Sequence, residues 1–258
     1  MAKKFKLSVI SAMHYFKLVY RSLLLIGAFI YWLIQKINGV WAPFEDIEHM
    51  PLIIAIIWII FTVEMLLRFF PSKTESMGCQ KQFSKNYKPT SEHTPKRMSP
   101  KRTLTVALLW LGLNAIIGGL YLAGLYDGGV LLLISLIFSV CDMICILFFC
   151  PFQTWIMKNK CCTTCRIYNW DYAMMFTPLI FIPNVFTWSL LGISLVLLFE
   201  WEILYKRFPE RFVENCNSSL SCASCEEKLC HHKKQLQHYL KNGKFNLKGN
   251  ILFKRREK

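Results

Sequence analysis

The feature that most constrains this chain is the packing of its apolar residues into blocks of about twenty, with the charges confined between them. A block of that length crosses roughly 30 Å of hydrocarbon as a helix, whereas a soluble domain scatters its apolar residues at helical or strand spacing. The 54% hydrophobic content is therefore read as membrane-spanning rather than globular. The net charge of +15 fits the same reading, because a basic excess in loops orients membrane proteins, and no nucleic-acid partner is expected.

The pattern predicts an all-α integral membrane protein with about five hydrophobic spans. A basic N-terminal segment, 1–17, precedes two transmembrane helices within 18–70. The spans themselves are Leu18 to Ile37, carrying Arg21, and Pro51 to Phe70. A basic, poorly ordered loop at 71–102 holds eight Lys or Arg against two Glu. A helical hairpin at 103–150 follows, with spans Thr103 to Leu125 and Val130 to Phe149 turning at Tyr126 to Gly129. Next come a Cys-rich loop at 151–173, a fifth membrane segment at 174–205 and a Cys-rich basic tail at 206–258. All spans are expected to be helical, since an open strand leaves its backbone unsatisfied in lipid. The basic start leads to no small-residue cleavage site, so no secretory signal peptide is expected and the first span stays as an anchor.

The loop charges orient the bundle. Residues 1–20 hold four Lys and no acid, and the loop with Glu45, Asp46 and Glu48 reads as external. The N-terminus, the 71–102 loop and the 151–173 loop then face the cytoplasm, with the plasma membrane of a prokaryote as the expected location. The fifth segment contains Pro178 and Pro183-Asn184. A simple crossing would put the tail outside, although it holds 13 basic residues against seven acidic ones from residue 200 onward. A re-entrant dip turning at Pro183-Asn184 keeps the tail on the cytoplasmic side, and that reading is favoured.

Eleven cysteines carry the chemistry. In the tail, Cys216, Cys222, Cys225 and Cys230 have the spacing C-x5-C-x2-C-x4-C, followed by His231 and His232. In the loop, Cys150, Cys161, Cys162 and Cys165 surround the stretch KCCTTCRIYNWD. A C-x2-C pair brings two thiolates to one ion through a tight turn, and two more complete a tetrahedral set for zinc or an iron–sulfur cluster. The spacing is not the ferredoxin C-x2-C-x2-C-x3-C-P. Unliganded, the loop thiols are expected to be reactive, with pKa values lowered by Lys158, Lys160 and Arg166.

Polar residues inside the spans form a second candidate set. Glu64 and Arg68 stand four apart on one helix face and are expected to pair. Asp142 lies mid-span beside Cys141 and three residues before Cys145, within reach of Asn114 or Ser139. Such groups face a bundle interior and mark either a proton or cation path or a neutralised pair. Arg21 is expected to reach the interface by extending its side chain. None of the six His lies deep in a span, which argues against haem held between helices. Asn169-Trp170-Asp171 with Met174-Met175 is a candidate quinone seat. There is no Walker A, G-x-G-x-x-G or H-E-x-x-H sequence.

Three functions follow as expectations. The first is a membrane-anchored iron–sulfur or zinc protein in electron transfer, working with a redox partner. The second is a quinone-coupled thiol–disulfide oxidoreductase, with Cys162/Cys165 as active pair and Cys222/Cys225 as shuttle pair. The third is a transporter or structural protein with zinc-braced cytoplasmic segments. The sequence leaves enzymatic activity and oligomeric state open.

Overall fold

The computed structural model describes residues 9–40, 52–71, 77–90, 94–95, 99–159, 161–162 and 164–221. They are helical, with no named strand among them. Among the described residues seven α-helices occur: α1 (Val9–Ile37), α2 (Leu52–Leu67), α3 (Met77–Gln82), α4 (Pro100–Leu122), α5 (Gly128–Leu147), α6 (Asp171–Phe176) and α7 (Val185–Arg207). Four of these, α1, α4, α5 and α7, are long and apolar enough to cross a membrane. With its 16 residues, α2 rises only about 24 Å at 1.5 Å per residue, so the second expected span is the short one.

Helix α1 runs antiparallel to α5. Tyr15 packs on Phe148 at one end, with ring centroids 6.3 Å apart. At the other end Trp32 Nε1 donates to Asp127 Oδ1 at 3.2 Å and Lys36 Nζ lies 2.5 Å from Asp127 Oδ2. Asp127 also caps α5, accepting from Val130 N at 3.0 Å. The turn before it closes on Gly124, whose φ of +74° only glycine adopts without strain. The hairpin thus turns slightly earlier than Tyr126 to Gly129.

The fifth segment departs most from expectation. The chain turns at Pro183-Asn184, between a limb over residues 171–181 and a helix over Val185–Arg207. Helix α6 continues into a 3-10 turn over Thr177–Phe181, and the two rise together by about 19 Å through the bundle. Asp171, at the start, is bound to Arg68 just past the end of α2, while Phe181, near the finish, lies against Gly118 close to the end of α4. Pro183 stops this limb. Asn184 then caps α7 by accepting from Phe186 N at 3.0 Å, and α7 returns with 23 residues. The return limb is longer than expected because Glu200, Glu202 and Lys206 continue the helix beyond the apolar block.

That return brings residues 209–221 back to the end of the bundle where 77–90 lies. Ser218 N donates to Lys88 O at 2.9 Å and Thr90 N to Cys216 O at 3.2 Å, with a bridge between Pro89 and Asn217. The described part of the 71–102 loop is accordingly built on α3 and this pairing rather than structureless. The main core joins α2, α5, α6 and α7 through Phe61, Met65, Leu136, Phe176, Leu179 and Leu197.

Candidate functional site

Two buried arrangements meet at the end of the bundle that holds the cysteine loop. The first is a charge network centred on Arg21, which is fully buried rather than reaching the interface. Its Nη2 lies 2.7 Å from Glu64 Oε2, and its Nη1 lies 3.3 Å from Asp142 Oδ2 and 3.1 Å from Ser139 O. The guanidinium stands 5.3 Å from the Phe61 ring centroid. Glu64 also receives the hydroxyls of Tyr20 and, at 3.1 Å, Tyr172, with Lys17 Nζ 3.3 Å away. The pairing expected between Glu64 and Arg68 within α2 gives way to ties between elements. Arg68 Nη2 lies 2.6 Å from Asp171 Oδ2, with the guanidinium 4.5 Å from the centre of the Tyr172 ring.

Asp142 meets Arg21 rather than Asn114. Asn114 donates to Trp110 O at 2.9 Å on its own helix, and its Oδ1 finds no partner among the described residues. Ser139 contributes its carbonyl, while its hydroxyl turns back to Leu136 O. Buried ions on four elements are therefore neutralised as a connected set, which is how charges at this depth are tolerated.

The second arrangement is the cysteine loop. A π-helical turn over Phe152–Ile156 follows α5, and Lys158, at φ +50°, reverses the chain. The loop is fastened by Gln153 and Asn159. Gln153 Oε1 accepts from Cys162 Sγ at 2.9 Å, its Nε2 donates to Asn159 O at 3.1 Å, and its backbone N lies 3.4 Å from Cys150 Sγ. Asn159 Nδ2 donates to Cys161 O at 2.9 Å and to Thr164 Oγ1 at 3.1 Å.

Between the two arrangements lies a cavity of about 130 Å³. Its thiols are Cys141, Cys145, Cys150, Cys162 and Cys165, and its carboxylates are Asp142 and Asp171. Aromatic and thioether side chains, including Trp110, Phe152, Met174 and Met175, complete a largely apolar wall. Cys165 is buried, and that burial pushes its thiol up to about 12, opposite in direction to the lowering expected from Lys158, Lys160 and Arg166. Cys162 remains partly exposed.

Of the eight cysteines expected to bind metal, Cys150, Cys162 and Cys165 come together on this cavity. Cys161 is on the loop but not on the cavity wall. Cys216 is buried in the segment paired with 88–90. Cys222, Cys225 and Cys230 lie outside the described residues. Among the described residues no group of three or more His, Cys, Asp or Glu is arranged to hold a metal ion. The candidate quinone seat is split: Asp171, Met174 and Met175 line this cavity, while Asn169 and Trp170 face a separate polar cleft.

Sequence reasoning missed Lys17, Tyr20, Tyr172, Gln153 and Asn159. Lys17, Tyr20 and Arg21 do share a helix face at spacings of three and four, a signal that was available. Gln153 and Asn159 had none, since their role depends on the reversal at Lys158. No protein-family model, no curated protein and no solved structure matches the chain.

Proposed function

We propose that this protein is a membrane thiol–disulfide redox protein that exchanges two electrons between the Cys162/Cys165 pair and a quinone-class ring held in the apolar cavity. The observation that carries this reading is that the pair and two carboxylates, Asp142 and Asp171, line one apolar space of about 130 Å³. That is close to the ~150 Å³ cavity that accepts a benzene ring, a size suited to a single ring whose tail leaves through the opening. Cys141 on the same wall is exposed on α5, a surface that lipid would cover.

The chemistry balances. Forming the Cys162–Cys165 bond releases two electrons and two protons, and the ring takes up both to become a hydroquinone. Asp142, held by Arg21, and Asp171, held by Arg68, stand on the wall where protons would pass to the ring oxygens. Cys162 is the more exposed thiol and the better nucleophile, and Cys165, kept protonated by burial, is the second thiol. The basic charge of the loops at this end supports a cytoplasmic site, where thiols are kept reduced. Electrons then run from dithiol to quinone.

Anaerobically purified, reduced protein in detergent is expected to convert one equivalent of a short-chain benzoquinone to hydroquinone per chain. Cys162→Ser and Cys165→Ser should convert none. Stoichiometric iron with sulfide, or stoichiometric zinc, in the same preparation would instead favour the cysteines as a metal set.

A further inference from the structure

On the other side of the cysteine loop lies a second, polar cleft of about 180 Å³. Gln82, Asn169, Glu202, Tyr205 and Glu214 contribute to its wall, and so does Cys165, which is thereby common to both spaces. The charges in the wall are partly matched within it: Arg166 pairs with Glu202 and stacks 3.8 Å from the Tyr205 ring centroid, and Trp170 Nε1 donates to Glu202 Oε1 at 2.7 Å. One donor is left over. Trp201 lines the cleft, is only 2% exposed, and its Nε1 has no acceptor among the described residues. Its ring is fixed edge-on between Phe83, at 5.3 Å, and Phe212, at 6.1 Å, so the indole cannot simply turn away. A buried donor without a protein partner, on a residue in the wall of a preformed polar cleft, is suited to an acceptor brought by a ligand.

We infer that this cleft binds a small water-soluble thiol of amino-acid or short-peptide type, whose carbonyl oxygen accepts from Trp201 Nε1 and whose sulfur meets Cys165. The acceptor follows from Trp201 alone, whereas the sulfur rests on the thiol exchange proposed above. The ligand would recharge the oxidised pair. Its thiolate attacks the Cys165 sulfur, the Cys162–Cys165 bond breaks, and Cys162, the more exposed sulfur, leaves and takes up a proton. A second ligand thiol attacks the ligand sulfur of the mixed disulfide, freeing Cys165 and releasing the oxidised ligand dimer. Two thiols supply the two electrons and two protons that the pair regains.

Binding is best read without redox turnover, in the full-length Cys162→Ser protein, which cannot form the pair's disulfide but keeps the Cys165 thiol in the cleft wall. Calorimetric titration with L-cysteine and with reduced glutathione is expected to give saturable binding for at least one, weakened roughly tenfold in Trp201→Phe, which keeps the ring but loses the donor. The indole 15N–1H signal that disappears in Trp201→Phe should shift on addition of the thiol, a readout that packing changes elsewhere do not mimic. No saturable binding of either thiol, or equal affinity in Trp201→Phe, overturns the assignment. L-serine binding as tightly as L-cysteine overturns the sulfur specificity. If thiols bind but the reduced protein leaves benzoquinone untouched, the cleft stands and the quinone reading falls; the reverse result removes the cleft alone.

Discussion

Arg21 Nη2 and Glu64 Oε2 lie 2.7 Å apart in the buried interior, joining α1 to α2 across 43 residues of chain. The same guanidinium reaches Asp142 on α5 at 3.3 Å, so one side chain fastens three helices. Removing one partner of a buried pair leaves the others uncompensated. Arg21→Met is expected to lower stability in detergent by about 3–5 kcal/mol. Adding Asp142→Asn should recover part of that loss, because Arg21 is the cation that Asp142 bonds, whereas Glu64 keeps Lys17 at 3.3 Å. Thermal unfolding followed by circular dichroism checks this, and a double variant no more stable than Arg21→Met would contradict it.

Close approach of the rising limb to α4 gives an independent expectation. A Cβ on Gly118 would stand 1.9 Å from Phe181 Cζ, while one on Gly119 would meet nothing within 4 Å. Gly118→Ala therefore forces the Phe181 ring aside and should lower stability by about 1–3 kcal/mol. Gly119→Ala should be tolerated, and Phe181→Leu should relieve the Gly118→Ala defect. Equal effects of the two glycine substitutions would contradict this packing.

The long apolar blocks were legible because helix formation in an apolar run is local: every backbone bond is made within the segment. Partners were not legible, because they depend on which faces meet. Arg21 looked terminal only because its apolar block starts at Leu18, whereas α1 begins at Val9 and places Arg21 more than three turns inside the helix. Pro183-Asn184 was readable as a break, yet the unequal lengths of the limbs around it depend on the packing of α6 against α5 and of α7 against α2. The cysteine spacing brought out Cys162 and Cys165 but not the shared cavity, which needs Asp171 and Asp142 from elements 29 residues apart.

Pairing of Lys88 with Ser218 tests whether both loops share one end of the bundle. With Ser218 N 2.9 Å from Lys88 O, paired residues bring their Cβ atoms within disulfide reach. Lys88→Cys/Ser218→Cys, with Cys216 changed to Ala, should cross-link under mild oxidation in membranes. Failure to cross-link, with the two sites labelled from opposite sides, would contradict the return of α7.

Burial of Cys165 has a pH signature. With its thiol pushed up to about 12, only about one molecule in ten thousand is thiolate at pH 8. Alkylation of the native protein at that pH should modify Cys162 well ahead of Cys165. Raising the pH from about 9 towards 12 should also lower stability, because the unfolded thiol ionises first and the native state releases its proton only at the upper end. Mass spectrometry of tryptic peptides reads the labelling, and equal modification of the two thiols at pH 8 would contradict the burial.

The most direct measurement of the central claim is a cysteine map of the reduced protein before and after one equivalent of a short-chain benzoquinone, with unreacted thiols blocked before digestion. The expected result is a new bond between Cys162 and Cys165, formed in step with hydroquinone and with Cys141 and Cys145 still reduced. A protein in which Cys162 and Cys165 remain reduced while the quinone is consumed, or in which no quinone is consumed at all, would contradict the account.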